Sequence, residues 1–216
     1  MSAAAVVREP PAPPDPIAVY RDDGPISRAL GRELGHELPL PAAVIALAGL
    51  VPLLVVAIVG GDGVSNAGAA VVLAWVLLTV GASSGVHDAP RAAWTAPPLG
   101  RLTEYVALIW IAALHGASAY PAVYALLAAL AFRHYDLVYR LRHRGVVPAR
   151  WVSALSLGWD GRLLLAYLLL VLGALPAGMY AMAIVLGVAF VAEAVYGWVV
   201  VGRVERSMVD DEEDDE

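Results

Sequence analysis

Six long apolar stretches make up most of this chain: Ala42–Gly60, Ala67–Gly81, Leu102–Ala119, Pro121–Leu137, Leu163–Pro176 and Met179–Val201. Most approach the ~20 residues an α-helix needs to cross ~30 Å of hydrocarbon. The chain is 60% hydrophobic and only 16% charged, whereas an ordinary soluble domain has about a quarter of its residues charged. The expected fold is therefore all-α: a polytopic membrane helical bundle of about six transmembrane helices. The fifth stretch is short and stopped by Pro176. It spans only if its helix begins near Asp160 or the bilayer thins locally, and otherwise five spans remain.

Charge orders these stretches. All fourteen Lys-or-Arg charges are arginines. The N-terminal segment carries Arg8, Arg21, Arg28 and Arg32, and the second connection carries Arg91 and Arg101. The fourth carries Arg140, Arg142, Arg144 and Arg150 between Arg133 and Arg162, and the C-terminal segment carries Arg203 and Arg206. The first, third and fifth connections have none. Basic residues near span ends favour the cytoplasmic side, so a multi-pass protein of the cell membrane with both termini cytoplasmic is expected. The formal charge of −6 comes chiefly from the acidic run Asp210–Glu216 and is a poor guide to partners.

Residues 1–16 are small and proline-rich, and read as a disordered tail. Residues 17–203 read as one integral membrane domain, and 204–216 as an acidic disordered tail. Ala3–Val7 is too short for the apolar core of a signal peptide, so insertion is expected to rely on the first span. Asp23-Gly24-Pro25 reads as a helix start. After it, Ile26, Leu30, Leu34 and Leu38 recur every four residues among Arg28, Arg32, Glu33 and His36. That stripe predicts an interfacial amphipathic helix in the cytoplasmic headgroup layer, broken by Pro39 and Pro41. With no cysteine, disulfides, thiolate catalysis and thiolate-bound metal are excluded.

The chemistry-bearing residues gather at the cytoplasmic ends of the spans: His87, Asp88 and Arg91; Arg101, Glu104 and Tyr105; Arg133 to His143; Trp159 to Arg162; and Glu193 with Tyr196. On a helix stepping ~100° per residue, Arg133, Asp136, Tyr139, Arg140 and His143 share one side, and His134 points nearly the opposite way. Asp136 and Arg140 have the spacing of a helix-surface ion pair. Glu193 lies on the order of 13 Å inside its helix end, a depth at which a carboxyl needs a partner or a polar pocket. Asp88, Asp136, Asp160 and His87 supply hard ligands suited to a divalent cation such as magnesium, though with no diagnostic spacing. Arg133, Arg140, Arg142 and Arg162 suit phosphate better, since guanidinium pairs with it bidentately. A lysine-bearing phosphate loop, a Gly-x-Ser-x-Gly elbow and a His-Glu-x-x-His motif are all missing. Anionic lipid accounts for the arginines better than nucleic acid does.

Arg133-His134-Tyr135-Asp136 with Tyr139-Arg140, then Trp159-Asp160-Gly161-Arg162, and Asp22–Arg32 ahead of both, carry a resemblance. Over residues 17–203 the chain resembles an uncharacterised actinobacterial membrane domain. That domain usually follows a nucleotidyltransferase-like region and a CDP-alcohol phosphatidyltransferase domain in larger chains. The resemblance implies a neighbourhood, the handling of a polar lipid beside such a transferase, and no mechanism. Asp23-Gly24-x-x-Ser27-Arg28 imitates the opening of the transferase motif, but the later Gly-x-x-x-Asp-x-x-x-Asp is missing.

Three readings follow. In the first, the protein binds a phosphorylated headgroup or phosphoalcohol at the cytoplasmic face and transfers or modifies it. Arg133, Arg140, Arg142 and Arg162 then hold phosphate, and Asp136, Asp160, His134, Glu104 and Glu193 are the candidate catalytic groups. In the second it is a non-catalytic scaffold for a CDP-alcohol phosphatidyltransferase, its polar clusters being ion pairs and lipid anchors. The third is an intramembrane isoprenoid cyclase with Glu104 and Glu193 as converging acids. The partners expected are membrane lipids, such a transferase and a second copy of the chain, without nucleic acid.

Overall fold

A computed structural model describes residues 16–60, 63–88, 90–143 and 149–213. Most of the expected proline-rich tail therefore lies outside the described residues. The structure is all-helical. Two short helices, α1 (Pro16–Arg21) and α2 (Pro25–Leu34), precede α3 (Ala42–Val55), which runs on through a π-helical turn at Val56–Gly60. Then come α4 (Asn66–Ala82), the four-residue α5 (Pro90–Ala93), α6 (Ala96–His115), α7 (Tyr120–His143), α8 (Arg150–Leu155), α9 (Gly158–Val171) and α10 (Leu175–Glu213).

Each apolar stretch of the sequence thus forms a helix, with two shifted boundaries: the third stretch ends at His115, before Gly116 (φ 110°). The fifth ends at Val171, and Pro176 lies in the first turn of α10, where its missing N–H has no helical partner to lose. At its other end α9 starts at Gly158, the early start that the short fifth stretch needs in order to span. α10 continues as helix to Glu213, through most of the segment set apart above as an acidic tail.

Four segments are long and apolar enough to cross a membrane: Ala42–Gly60, Asn66–Gly85, Trp151–Val171 and Leu175–Val199. The chain is accordingly a multi-pass membrane protein. α6 and α7 are 20 and 24 residues long, but Arg101 and Glu104 on one and Arg133, Asp136 and Arg140 on the other lower their apolarity.

α7 packs along α10, α3 packs on α4 and α6, and α6 also meets α9. Leu108, Ile111, Leu126, Leu130, Leu163, Met179 and Phe190 fill the centre, with Ala107, Ala112, Ala122 and Ala166 completely buried among them. Apolar side chains gain little by leaving lipid for protein, so close approach of backbones at small residues supplies the packing.

The same device seats α2. Its buried face is Ser27, Gly31 and the following Gly35; of the apolar stripe, Ile26 (37% exposed) and Leu34 (38%) face outward, while Leu30 packs toward Gly81. The backbones of Gly31 and Gly85 approach so closely that a Cβ on either would collide with the other. Gly31→Val should therefore lower stability by about 1–3 kcal/mol, read as thermal unfolding in detergent. Leu34→Ala on the outward face should change it by less than about 0.5 kcal/mol.

Candidate functional site

The polar residues meet where the Asp22–Gly24 turn enters the bundle. The backbone prepares the meeting at Leu157 (φ 61°) and Gly158 (φ 68°), two successive left-handed residues. They press Gly158 against Gly24, and a Cβ on either glycine would strike the opposing strand of chain. Trp159 then donates its backbone N–H to the Asp22 carbonyl (3.1 Å) and its indole N–H to Asp23 Oδ1 (2.9 Å). Asp160 Oδ2 accepts from the backbone N–H groups of Ile26 (2.8 Å) and Ser27 (2.9 Å). Gly24, at the start of α2, has no side chain to cap these donors, so a carboxylate borrowed from α9 satisfies them. A negative group is favoured there by the helix dipole as well. Arg21 closes the turn, binding Asp23 Oδ2 at 2.7 Å and Ser83 Oγ at 3.0 Å.

Beneath the turn lies Arg162, fully buried, with every nitrogen of its guanidinium engaged. Nε donates to Glu104 Oε1 (2.6 Å), Nη1 to the Ser156 carbonyl (2.9 Å) and Nη2 to Asp22 Oδ2 (2.9 Å). Arg101 approaches the same Asp22 oxygen (3.4 Å) and Glu104 Oε2 (3.8 Å), and donates to the Tyr20 carbonyl. Burial alone pushes the Asp22 carboxyl up, but Arg162 and then Arg101 overcome it and hold the group below the ordinary aspartate range.

A second cluster joins α7 to α10. Glu193 accepts from Arg133 and, at 3.3 Å, from Arg140, while its other oxygen takes the Ala149 N–H at 2.7 Å. Arg140 also holds Asp136, one turn away on its own helix. Arg133 sits over the Phe190 ring, 5.0 Å from its centroid, and Tyr139 stacks on Trp198. As the helical step requires, His134 points elsewhere: its Nδ1 lies 2.7 Å from the Tyr105 hydroxyl on α6.

The expected site residues separate accordingly. Arg133, Arg140, Asp136 and Glu193 come together, and so do Arg162 and Glu104, in each case as ion pairs. Asp160 closes the end of α2, and Asp88 does the same for α3 by accepting the Ala42 N–H at 3.1 Å. His87 and Arg142 are exposed. Among the described residues no group of three or more His, Cys, Asp or Glu side chains is placed to hold a metal ion. Asp22 and Ser156 belong to the site although the sequence did not single them out as functional, whereas Arg101 and Tyr105 are already grouped with Glu104 in the sequence. The one available signal was Asp22-Asp23-Gly24, read only as a helix start.

Residues 15–215 match a family described as one of unknown function, DUF5941, and the chain belongs to that family. No curated protein and no solved structure matches it.

Because Arg162 binds two carboxylates, Arg162→Met leaves both with only the more distant Arg101, and truncating one member of a buried ion pair costs about 3–5 kcal/mol. The variant should unfold at much lower temperature or fail to accumulate in the membrane. Asp22 has a lowered pKa in the folded protein, so its contribution is present above the ordinary aspartate value and is lost as pH falls through the folded one. Unfolding measured against pH should show an acid limb that Asp22→Asn flattens.

Proposed function

We propose that this family member is a six-span membrane module of polar-lipid metabolism. In this reading it acts as a non-catalytic packing partner of a CDP-alcohol phosphatidyltransferase, with both termini cytoplasmic. One observation carries the reading: the four carboxylates of the two clusters, Asp22, Glu104, Asp136 and Glu193, are all bound by Arg101, Arg133, Arg140 and Arg162. Three of the arginines expected to hold phosphate or substrate already hold protein. Carboxylates that accept hydrogen bonds from guanidinium groups are neither free metal ligands nor free proton donors. Such a network fixes helix against helix, as a scaffold requires.

Support for α6 and α7 as spans comes from α7 and α10 together. From Tyr180 to Trp198 along α10 is roughly 27 Å at 1.5 Å per residue, and from Tyr120 to Tyr139 along α7 is about the same. Aromatic residues at both ends of helices this long suit the two interfaces of a bilayer whose core is ~30 Å thick. The ends that meet in the ion clusters also adjoin the arginine-bearing connections, which favours the cytoplasmic side for them. Glu104 and Glu193 are held by different arginine pairs, so no observation favours the cyclase reading.

Two measurements test this. The chain has no cysteine, so cysteines introduced singly at Ser118 and Ser153 report their side of the membrane. An impermeant maleimide should label position 118 from outside and position 153 only after permeabilisation. Labelling of 118 only from inside would mean that α6 and α7 do not cross. Co-expressed with a CDP-alcohol phosphatidyltransferase from the same organism, the chain should co-purify in mild detergent. Turnover of a CDP-alcohol by the purified chain alone, or the lack of any complex, would overturn the scaffold reading.

A further inference from the structure

Of the four carboxylates in the ion network, three come from long helices: Glu104 from α6, Asp136 from α7 and Glu193 from α10. Asp22 comes instead from a connection, the turn between α1 and α2, where the neighbouring Asp23 is paired separately with Arg21. Asp22 is also the carboxylate nearest the opening, with 13% of its side chain exposed against 0% for Glu104 beneath it. Two guanidinium groups fixed elsewhere in the bundle converge on one of its oxygens, Arg162 Nη2 at 2.9 Å and Arg101 Nη1 at 3.4 Å, and the Ser156 hydroxyl, which donates to the Ser153 carbonyl at 3.0 Å, lies 3.5 Å from the other. Two guanidinium groups directed at one oxyanion, with a hydroxyl beside them able to turn toward it, suit a phosphate group.

Charge points the same way. Without Asp22, Arg101 and Arg162 face Glu104 alone and the group carries one uncompensated positive charge. In addition, Asp22 sits at φ 54°, a left-handed turn conformation that aspartate tolerates and that glycine adopts freely. Nothing comparable applies to the other three carboxylates, which sit in regular helix.

We propose that Arg101, Arg162 and Ser156 form an oxyanion site at the mouth of the bundle, which Asp22 fills as a tethered carboxylate and in which a phosphate monoester or free phosphate takes its place. Exchange removes one anchor of the turn, the Asp22 carboxylate, and leaves the turn held by the Trp159 bonds to the Asp22 carbonyl and to Asp23 and by Arg21. The Asp160 cap, one residue beyond Gly24, keeps α2 attached. Phosphate in the site would thus loosen residues 17–24 and leave the span helices where they are. This goes beyond the scaffold reading, which stands or falls on complex formation and on the lack of turnover.

The test uses Asp22→Gly, which removes the carboxylate while suiting the positive φ. In nanodiscs of zwitterionic lipid, inorganic phosphate at millimolar concentration should raise its unfolding temperature saturably, by several degrees beyond chloride at matched ionic strength. The response should vanish in Asp22→Gly/Arg101→Gln. A parallel arm replaces free phosphate with nanodiscs containing phosphatidic acid. Stabilisation there alone identifies a lipid headgroup as the source, and stabilisation by free phosphate alone identifies a soluble one; either supports the site. Equal effects of phosphate, phosphatidic acid and chloride, or a response that survives Arg101→Gln, would overturn it. Should the glycine variant fail to fold, hydrogen exchange on the unaltered protein decides. Exchange across residues 17–24 should rise with phosphate, and a flat profile over the same range would refute the proposal.

Discussion

A guanidinium group placed among helices in lipid has to find carboxylates, because an unpaired charge there is too costly to keep. Arg162 meets that demand by reaching in three directions at once: to Glu104 on α6, to Asp22 in the N-terminal turn and to the Ser156 carbonyl just before its own helix. Most of the remaining polar architecture depends on this side chain. It ties α6 to α9, fixes where the N-terminal turn enters, and presents Asp22 to Arg101. The Gly24–Gly158 contact and the Asp160 cap then complete a joint in which α2 and α9 each supply what the other lacks.

The second network obeys the same constraint with different partners. Glu193 lies well inside α10, facing α7, and two arginines about two turns apart on α7 converge on it. Asp136 takes the remaining charge of Arg140, which leaves the group balanced. Balance of this kind gives each helix pair one rotational setting, an advantage in lipid, where apolar contacts discriminate weakly between alternatives. The paired carboxylates and arginines are committed to structure, while Glu104 Oε2, His134 Nε2 and Asp160 Oδ1 are buried without a hydrogen-bond partner among the described residues.

Helix positions were legible from the sequence because continuous apolar runs of span length have few other solutions, and the Asp23-Gly24-Pro25 start was legible because its chemistry is local. The split between the Arg133 side of α7 and His134 followed from helical geometry alone. What escaped was long-range pairing. The partners of Arg162 lie 58 and 140 positions away, and the donors capped by Asp160 lie 134 and 133 positions away. No periodicity encodes such matches. For that reason Asp160 and Asp88, read as hard metal ligands, turn out to be engaged at helix N-termini. The packing face of α2 was missed for a related reason: the apolar stripe was conspicuous, while the small residues Ser27, Gly31 and Gly35 that meet the protein gave no hydrophobic signal.

The claim that paired charge, and not free catalytic groups, organises this bundle is tested most directly by a double-mutant cycle on Glu104 and Arg162. Unfolding would be measured for Glu104→Gln, Arg162→Gln and the pair together. A structural ion pair predicts that the double variant is more stable than the sum of the single losses implies, with a coupling above about 1 kcal/mol, within the range for directly interacting residues. Additive losses would show that the two side chains act independently, and the account of Arg162 as the centre of the network would be wrong.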